Sequence, residues 1–174
     1  YGNSFEAGRD LVKDFDIEGL KYIFVLSDGS KVNGSELVKG MVSVIPERIP
    51  ITGGLAGDGD KFESTLVGIN EIPTHGRIAA IAFYGEQLLV SHSSLGGWES
   101  FGLERTVTKS DANELFEIDG KNALELYKMY LGKYAEDLPS SALLFPLSVK
   151  IDEKGGNLVR TILSVNNQKQ SMIF

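Results

Sequence analysis

A glycine-rich run at residues 53–60 is the first segment of this sequence whose composition suits ligand binding. It reads Gly-Gly-Leu-Ala-Gly-Asp-Gly-Asp. Glycines let backbone N–H groups approach a ligand closely, so such a run could cradle an anion. No Gly-Lys-Ser/Thr follows it, and its glycine spacing differs from that of dinucleotide-binding loops, which excludes both of those phosphate-binding motifs. The alternative interpretation is a tight loop that needs its glycines for positive φ angles.

His92 is the second candidate, because serines flank it in the run Ser-His-Ser-Ser. A histidine in that setting could hold a ligand carboxylate, coordinate haem iron, or act as a base towards a neighbouring serine. The structural alternative is a strand histidine that is merely hydrogen-bonded. The other histidine, His75, follows Pro73 in a predicted turn and is expected to be exposed. Two histidines and no cysteine are a poor basis for a metal site, and none is predicted.

Trp98 and Arg160 are the remaining candidates. Trp98 is the only tryptophan and stands in a predicted turn, where its indole could line a pocket or close one end of the core. Arg160 lies in a predicted strand rich in Leu, Val and Ile, so it needs a carboxylate partner, either inside the fold or on a ligand. The sequence has no Gly-x-Ser-x-Gly elbow and no acidic pair with catalytic spacing. It therefore favours a binding protein over an enzyme.

The charge balance restricts the partners. Among 174 residues, 17 are Lys or Arg and 24 are Asp or Glu, which gives a net charge of -7. Such a surface repels phosphate backbones and anionic lipid, so neither nucleic acid nor a membrane is a predicted partner. No apolar run approaches the ~20 residues needed to span a bilayer. The start of the sequence does not resemble a signal peptide, and the absence of cysteine agrees with a cytoplasmic location.

Helix start signals and strand patterns alternate early in the chain. Asn3 with Glu6, and Asn33 with Glu36, have the spacing of capping boxes, which predicts that two helices begin there. A strand is predicted between them at residues 22–26. The second helix carries a single apolar stripe, which indicates that it packs on a sheet.

Strands dominate after residue 48. Gly85 is expected to begin a two-residue type II′ turn of a hairpin. Asp119 is the predicted N-cap of a helix that Gly132 ends. The sequence thus predicts an α/β fold of the α+β kind, with a largely antiparallel mixed sheet and packed helices. The predicted strands cover residues 49–52, 64–69, 77–84, 87–93, 105–109, 115–118, 143–151 and 158–165.

A series of short motifs runs in order along the chain: Asp28-Gly29, Gly53 to Asp58 with Phe62, Gly97-Trp98 with Gly102, Arg105 to Lys109, Asp119-Gly120, Ala123-Leu124 with Tyr127, and Leu131-Gly132. Over nearly its whole length, and in this order, the sequence resembles the FIST domain, a family of bacterial sensory modules. In that family an early strand ends in an Asp-Gly turn, and a later strand runs into a Gly-Gly-x-Ala-Gly-Asp loop followed by an aromatic residue.

The resemblance also implies a division of the chain. Residues 1–138 correspond to the family's N-terminal sensory domain, and residues 142–174 resemble the beginning of its C-terminal domain. The polar, proline-bearing stretch at residues 137–141 is the predicted boundary.

The function that the resemblance implies is sensing. FIST domains are thought to bind small ligands such as amino acids or related carboxylates, and to act beside kinase or cyclic-dinucleotide modules in bacterial signal transduction. Some relatives bind haem and respond to nitric oxide, so a haem sensor with His92 as iron ligand is one alternative. A serine hydrolase using His92 is another. The predicted ligand-binding residues are Gly53, Gly54, Gly57, Asp58, His92, Trp98 and Arg160.

Overall fold

The computed structural model describes residues 3–93, 95–150 and 157–174. The chain forms two compact units, Tyr1–Leu95 and Gly96–Phe174. The described residues contain helices together with mixed and antiparallel strands, which confirms the predicted α+β class. The boundary expected at residues 138–142 falls inside the second unit and stays a prediction.

The first unit has a three-stranded sheet in which β1 (Leu20–Asp28) lies between β2 (Ile51–Ala56) and β3 (Ile78–Tyr84). β1 pairs in parallel with β2 and antiparallel with β3. Its buried core includes Ile23 of β1 and Met41 of the second helix, both with 0% exposure. The elements of this unit are α1 (Ser4–Val12), β1 (Leu20–Asp28), α2 (Gly34–Val42), β2 (Ile51–Ala56) and β3 (Ile78–Tyr84).

The two helices begin where the capping signals predicted. Asn3 accepts a hydrogen bond from the backbone N–H of Glu6, and Asn33 accepts one from that of Glu36. The reciprocal half of each capping box is absent among the described hydrogen bonds. Each glutamate instead forms an ion pair with a basic residue one turn further along its helix.

The helices α1 and α2 pack backbone against backbone. A Cβ built on Gly8 would lie 2.1 Å from the carbonyl oxygen of Leu37, and one on Gly40 would lie 2.0 Å from that of Phe5. Real Cβ atoms do not approach carbonyl oxygens so closely. The crossing therefore requires glycine on both helices.

Gly53 and Gly54 lie inside β2 and not in a loop. The strand predicted at residues 49–52 is therefore observed at Ile51–Ala56, and the loop predicted at residues 53–60 begins only at Gly57. They pair with Val25 and Leu26 of β1. A Cβ on Gly53 would lie 1.7 Å from the carbonyl oxygen of Val25, whereas one on Gly54 would have nothing within 4 Å. Gly53 is thus required for the close approach of two strands, a contact between distant segments that a single sequence does not reveal.

Two predicted strands of this unit were wrong. Residues 64–69 contribute a single isolated bridge, between Val67 and Thr74. Residues 87–93 form no strand, and the expected hairpin is absent. The amide of Gly85 donates to the carbonyl of Gly19 at 3.2 Å. Gly85 follows β3 and Gly19 precedes β1, so this bond extends the pairing of β3 with β1 and does not begin a new hairpin.

The second unit contains one larger antiparallel sheet and a separate strand pair. The sheet has the order β4-β5-β10-β9, with β6 paired to β5, and β7 pairs with β8. Its core contains Leu124, Ile162 and Met172, each with 0% exposure. The elements are β4 (Val107–Asp111), β5 (Glu114–Ile118), β6 (Lys121–Asn122), α3 (Ala123–Leu131), 3-10 helices Gly132–Asp137 and Ser140–Leu144, β7 (Leu147–Lys150), β8 (Asn157–Arg160), β9 (Ser164–Asn166) and β10 (Ser171–Ile173).

The C-terminal elements differ in detail from the prediction. Gly132 ends α3 as expected, with a φ of 56°. Asn122, not Asp119, occupies the N-cap position, and it makes no side-chain cap bond. Of predicted strand 143–151, the first two residues end a 3-10 helix and only Leu147–Lys150 is a strand among the described residues. Predicted strand 158–165 is split between β8 and β9. Residues 151–156, which include the predicted connection, lie outside the described residues.

The contact at Gly53 leads to a matched pair of expectations. Gly53→Ala should destabilise the first unit by about 3 kcal/mol, because the added methyl must push β2 away from β1. Gly54→Ala, one residue further along the same strand, adds its methyl to open space and should change stability by less than about 0.5 kcal/mol. Urea unfolding followed by circular dichroism measures both, and equal losses would contradict this account of Gly53.

Candidate functional site

Three loops meet at the carboxyl end of the parallel strands β1 and β2. We call residues 28–33, 57–65 and 74–77 the strand-end loops. The first follows β1, the second follows β2, and the third leads into β3. Ligands of α/β proteins commonly bind where the carboxyl ends of parallel strands deliver their loops. The residues that organise this edge therefore determine what it can bind.

Asp28 is the centre of the strand-end loops. Its side chain has 0% exposure, and it accepts hydrogen bonds from three separate segments. Within its own turn the donors are the N–H of Ser30 at 2.8 Å, the hydroxyl of Ser30 at 2.7 Å and the N–H of Lys31 at 3.2 Å. The second loop contributes the hydroxyl of Thr65 at 2.5 Å, and the third contributes the N–H of Gly76 at 2.7 Å.

These bonds keep Asp28 ionised. Burial alone would raise the pKa of Asp28, but the hydrogen bonds from Thr65, Gly76 and Ser30 outweigh it and hold that pKa far below its ordinary value. Near neutral pH, a carboxylate in this state has no proton to donate, and its low pKa makes it a weak base. Asp28 is therefore a fixed acceptor that joins three loops and not a general acid or base.

Asp58 organises the second loop in the same way. It accepts the backbone N–H groups of Phe62 at 3.1 Å, Glu63 at 2.7 Å and Ser64 at 2.7 Å. The N–H groups of Ser64 and Glu63 contribute most to lowering the pKa of Asp58. The amides of residues 62–64 thus bind the protein's own carboxylate. Contact of Gly53, Gly54, Gly57 or Asp58 with a ligand stays a prediction.

His92 lies exposed in a segment without regular secondary structure. Among residues 3–93, 95–150 and 157–174 it has no hydrogen-bond partner. The geometry that a His92-dependent hydrolase needs is therefore not present in this part of the chain. Ser94, the last residue of the Ser-His-Ser-Ser run, lies outside the described residues. The serine–histidine contact that the structure contains joins Ser64 Oγ to His75 Nε2 at 3.4 Å.

Trp98 and Arg160 belong to the second unit. Trp98 is 53% exposed and lies in the irregular segment before β4. Arg160 is half-buried in β8, where it pairs with Leu147 of β7. The other five predicted ligand-binding residues belong to the first unit. A pocket formed jointly by all seven stays a prediction.

The second unit has its own carboxylate-organised turn. Asp119 accepts the N–H of Thr106 at 2.9 Å and the guanidinium of Arg105 at 2.9 Å. These two donors contribute most to lowering the pKa of Asp119. Arg105 also donates to the hydroxyl of Tyr130 at 3.0 Å. The carboxylate of Asp119 therefore already accepts hydrogen bonds from Arg105 and Thr106, which explains why it does not cap α3.

Two open surface depressions border α3. The smaller has a volume of about 210 Å³ and is lined by Arg105, Leu126, Met129 and Tyr130. The larger has a volume of about 330 Å³ and is lined by Gly120, Lys121, Asn122, Glu125, Leu126 and Met129. Small-molecule sites usually enclose roughly 300–1,000 Å³, so these depressions lie at or below the lower limit.

Two absences apply to the part of the chain that the structure describes. In that part no group of three or more His, Asp or Glu side chains is arranged to hold a metal ion. In the same part no helix has the length and apolar character needed to cross a membrane.

Two family models match the chain. The model of the FIST N domain matches residues 1–121, and the model of the FIST C domain matches residues 123–174. Searches against curated proteins and against solved structures gave no significant match. The two matched regions follow each other in the order that the sequence motifs indicated.

Replacement of Asp28 by asparagine is expected to destabilise the protein by about 3 kcal/mol. The amide oxygen can replace Oδ1, which accepts from Ser30, Lys31 and Thr65. The amide NH₂ must then face the N–H of Gly76, so two donors meet. Urea unfolding measures the loss. The control is Asp14→Asn, because Asp14 is exposed, and a change of less than about 0.5 kcal/mol is expected there. Equal effects of the two changes would contradict the role of Asp28.

The same variant tests the ionisation of Asp28. The folded-state pKa of Asp28 lies below its ordinary value of 3.8, so its stabilising contribution is complete above about pH 4 and is lost as the pH falls further. The stability difference between the wild type and Asp28→Asn should therefore shrink below about pH 4. Other carboxylates with lowered pKa values, such as Asp58 and Asp119, are common to both proteins and cancel. If the stability difference between the two proteins stayed constant down to about pH 2, the charge of Asp28 would contribute nothing to stability.

Proposed function

This chain belongs to the FIST family, and from that membership we propose that it is a cytoplasmic sensory region of a bacterial signalling protein that binds a small carboxylate-bearing ligand, such as an amino acid. The observation that carries the proposal is the pair of family matches, over residues 1–121 and 123–174. FIST domains are small-ligand sensory domains of signal transduction. The carboxylate chemistry and the bacterial cytoplasmic setting are the proposed refinements.

The strand-end loops support a ligand site on the first unit. Gly57 and Asp58 lie in a loop whose backbone is already fixed, so binding there would order little additional chain. The outer side of Gly54 is open, with nothing within 4 Å of a Cβ built there, so a ligand could reach the backbone of β2. We propose that Gly53, Gly54, Gly57, Asp58 and His92 are the ligand-binding residues of the first unit.

Trp98 and Arg160 are proposed to supply the groups that recognise the carboxylate. The indole N–H is a hydrogen-bond donor on a half-exposed side chain, and an aromatic face suits the apolar part of an amino acid. A guanidinium can hold a carboxylate through two parallel hydrogen bonds. Together they would define a ligand with one anionic and one apolar end.

Signalling by this region would follow a population shift. A ligand changes a conformational equilibrium only to the extent that it binds one state more tightly than the other. Occupancy would then pass to an output module, such as a kinase or a cyclic-dinucleotide module. We propose binding without catalysis, because the carboxylates of Asp28 and Asp58 are occupied by hydrogen bonds from the protein itself and His92 has no described hydroxyl partner.

Ligand binding should raise the thermal stability and change the fluorescence of the single tryptophan. At a hundredfold excess over Kd, a ligand adds about 2.7 kcal/mol of stability, which corresponds to a rise in Tm of roughly 5–10 °C. The panel comprises the twenty amino acids and short dicarboxylates, each compared with its uncharged amide. The emission of Trp98 should change with the same Kd.

Two results separate the function from the proposed pocket. If no member of the panel raises Tm, the proposed function fails. If a member raises Tm but leaves the emission of Trp98 unchanged, and Trp98→Phe retains the rise in full, the sensor proposal stands and Trp98 is removed from the pocket.

A further inference from the structure

The strand β3 lies at an open edge of the sheet in the first unit. Among the described residues the order of that sheet is β2-β1-β3, so β3 has a neighbouring strand on one side only. Its sequence, Ile-Ala-Ala-Ile-Ala-Phe-Tyr at residues 78–84, contains no charged residue and no proline. Edge strands usually carry such residues, because unpaired backbone groups readily accept a strand from another chain. The edge of β3 therefore lacks the usual protection.

The hydrogen-bond pattern shows which backbone groups face this open edge. The N–H of Asp28, at the end of β1, donates at 3.0 Å to the carbonyl of Arg77, which directly precedes β3. In an antiparallel ladder, alternate residues direct their N–H and C=O groups to the neighbouring strand, and the residues between them direct theirs away from it. The odd-numbered residues of β3 therefore bond to β1. The groups that face the open edge belong to Ile78, Ala80, Ala82 and Tyr84.

A second copy of β3 fits this edge in an antiparallel, two-fold arrangement. In one such register, Ile81 of one copy lies opposite Ile81 of the other. Ile78 then lies opposite Tyr84 of the second copy. In the same way, Ala80 lies opposite Ala82. Because each of these pairs occurs twice, the two strands can exchange about eight backbone hydrogen bonds.

The side chains on the face of the sheet away from the helices are complementary in this register. Ile81 and Phe83 are 47% and 39% exposed, so both have apolar surface left to bury. The two Ile81 side chains would meet at the two-fold axis. Phe83, the largest side chain of this row, would lie opposite Ala79, the smallest. Large and small side chains would therefore alternate across the pair, as in well-packed strand pairs.

The charges beside β3 also suit a second copy. Within residues 78–84 no like charges can meet, because none is present. Beyond the ends of the strand, Arg77 would lie within one residue of the position opposite Glu86 of the second copy, and both residues are exposed. Arg77 also pairs with Glu71 of its own copy at 3.5 Å, so the new contact would contribute to register more than to affinity. Opposite charges at both ends favour the two-fold pairing over pairing with an unrelated strand.

The other edge of the same sheet is less suited to pairing. β2 contains the adjacent residues Gly53 and Gly54. Glycine inside a strand weakens it, because it costs more conformational entropy and offers no side chain to pack. β3 contains no glycine. Association is therefore expected through β3.

We propose that β3 is a self-association surface, through which two copies of this chain pair antiparallel and join their sheets into one. Main-chain hydrogen bonds supply the affinity, as they do where other proteins add a strand to a sheet edge. A strand of 7 residues is roughly 23 Å long and sheets pack roughly 10 Å apart, so the pairing covers only about 230 Å² on each copy. Stable interfaces cover about 800 Å² per partner, so this dimer is weak and reversible, with a Kd on the order of 100 µM.

Solvent exchange of backbone amides tests the pairing directly. In the ¹⁵N-labelled 174-residue chain, exchange rates are compared at about 20 µM and about 1 mM, in about 0.15 M sodium chloride to screen the repulsion between two copies of net charge -7. The amides of Ile78, Ala80 and Ala82 should exchange about fourfold more slowly at the higher concentration, where roughly four fifths of the chains are paired. The amides of Ala79 and Ile81, which bond to β1 in either state, are the internal control and should not change.

A charge exchange at the two-fold axis tests the register. Ile81→Lys places two like charges opposite each other, and Ile81→Glu does the same with the opposite sign. Each variant alone should therefore associate at least about tenfold more weakly in sedimentation equilibrium, whereas an equal mixture of the two should recover about the affinity of the wild type. The matched control is Leu55→Lys, because Leu55 is 48% exposed and lies on β2, at the opposite edge. Its Kd should equal that of the wild type, and circular dichroism checks that every variant is folded.

Four outcomes would overturn the proposal. One is a chain that stays monomeric up to about 1 mM. Another is association that leaves the amides of Ile78, Ala80 and Ala82 unprotected. The third is growth beyond dimers, which would mean open-ended pairing and not a closed two-fold interface. The fourth is a mixture of Ile81→Lys and Ile81→Glu that associates no better than either variant alone.

The first three outcomes are measured on the unaltered chain, so they decide the matter even if a substitution prevents folding. None of the four involves a ligand. The thermal-shift test of the sensory pocket therefore succeeds or fails separately from this proposal.

Discussion

The fold of the first unit depends on one buried negative charge. Asp28 has 0% exposure, and its carboxylate has left water completely. Removing a carboxylate from water costs several kcal/mol unless hydrogen bonds replace its hydration. Its donors come from its own turn, from Thr65 and from Gly76. The central strand can therefore end in a buried carboxylate only when the two later loops, which carry Thr65 and Gly76, are also in place.

The same device recurs at every Asp-Gly pair of the sequence. Asp28, Asp58 and Asp119 each accept backbone N–H groups, and each has a lowered pKa. The glycine that follows makes the turn feasible. Gly59 and Gly120 adopt positive φ angles of 78° and 71°, which L side chains rarely adopt. The first glycine, at position 29, is needed because a Cβ there would lie 2.2 Å from a carbonyl oxygen of β2. The three Asp-Gly motifs therefore have a structural reason in these turns, whether or not they also contact a ligand.

The helix-capping signals at Asn3, Asn33 and Gly132 were reliable, the local signals at Gly85 and Asp119 were not, and long-range contacts were not visible. The N-caps Asn3 and Asn33 and the helix end at Gly132 depend on contacts within a few residues, so the sequence predicts them. The bonds from Thr65 and Gly76 to Asp28 span 37 and 48 residues. No spacing rule connects such positions, and Asp28 was visible beforehand only as part of a family turn. Gly53 shows the same limit, because the sequence did not reveal its close approach to Val25 of β1, while its contact with a ligand stays a prediction.

The stiffness of the strand-end loops has a consequence for the proposed sensory function. A sensor needs two conformations whose free energies differ by only a few kcal/mol. Opening the strand-end loops would break the several hydrogen bonds of Asp28 together, and water would have to replace all of these donors. That cost makes the loops unsuitable as the moving part. They are suited instead to hold donors in a fixed geometry, so the two states of the proposed sensor should differ in segments that Asp28 does not anchor. Residues 86–93 meet that requirement, because they follow the last strand of the sheet and form neither helix nor strand.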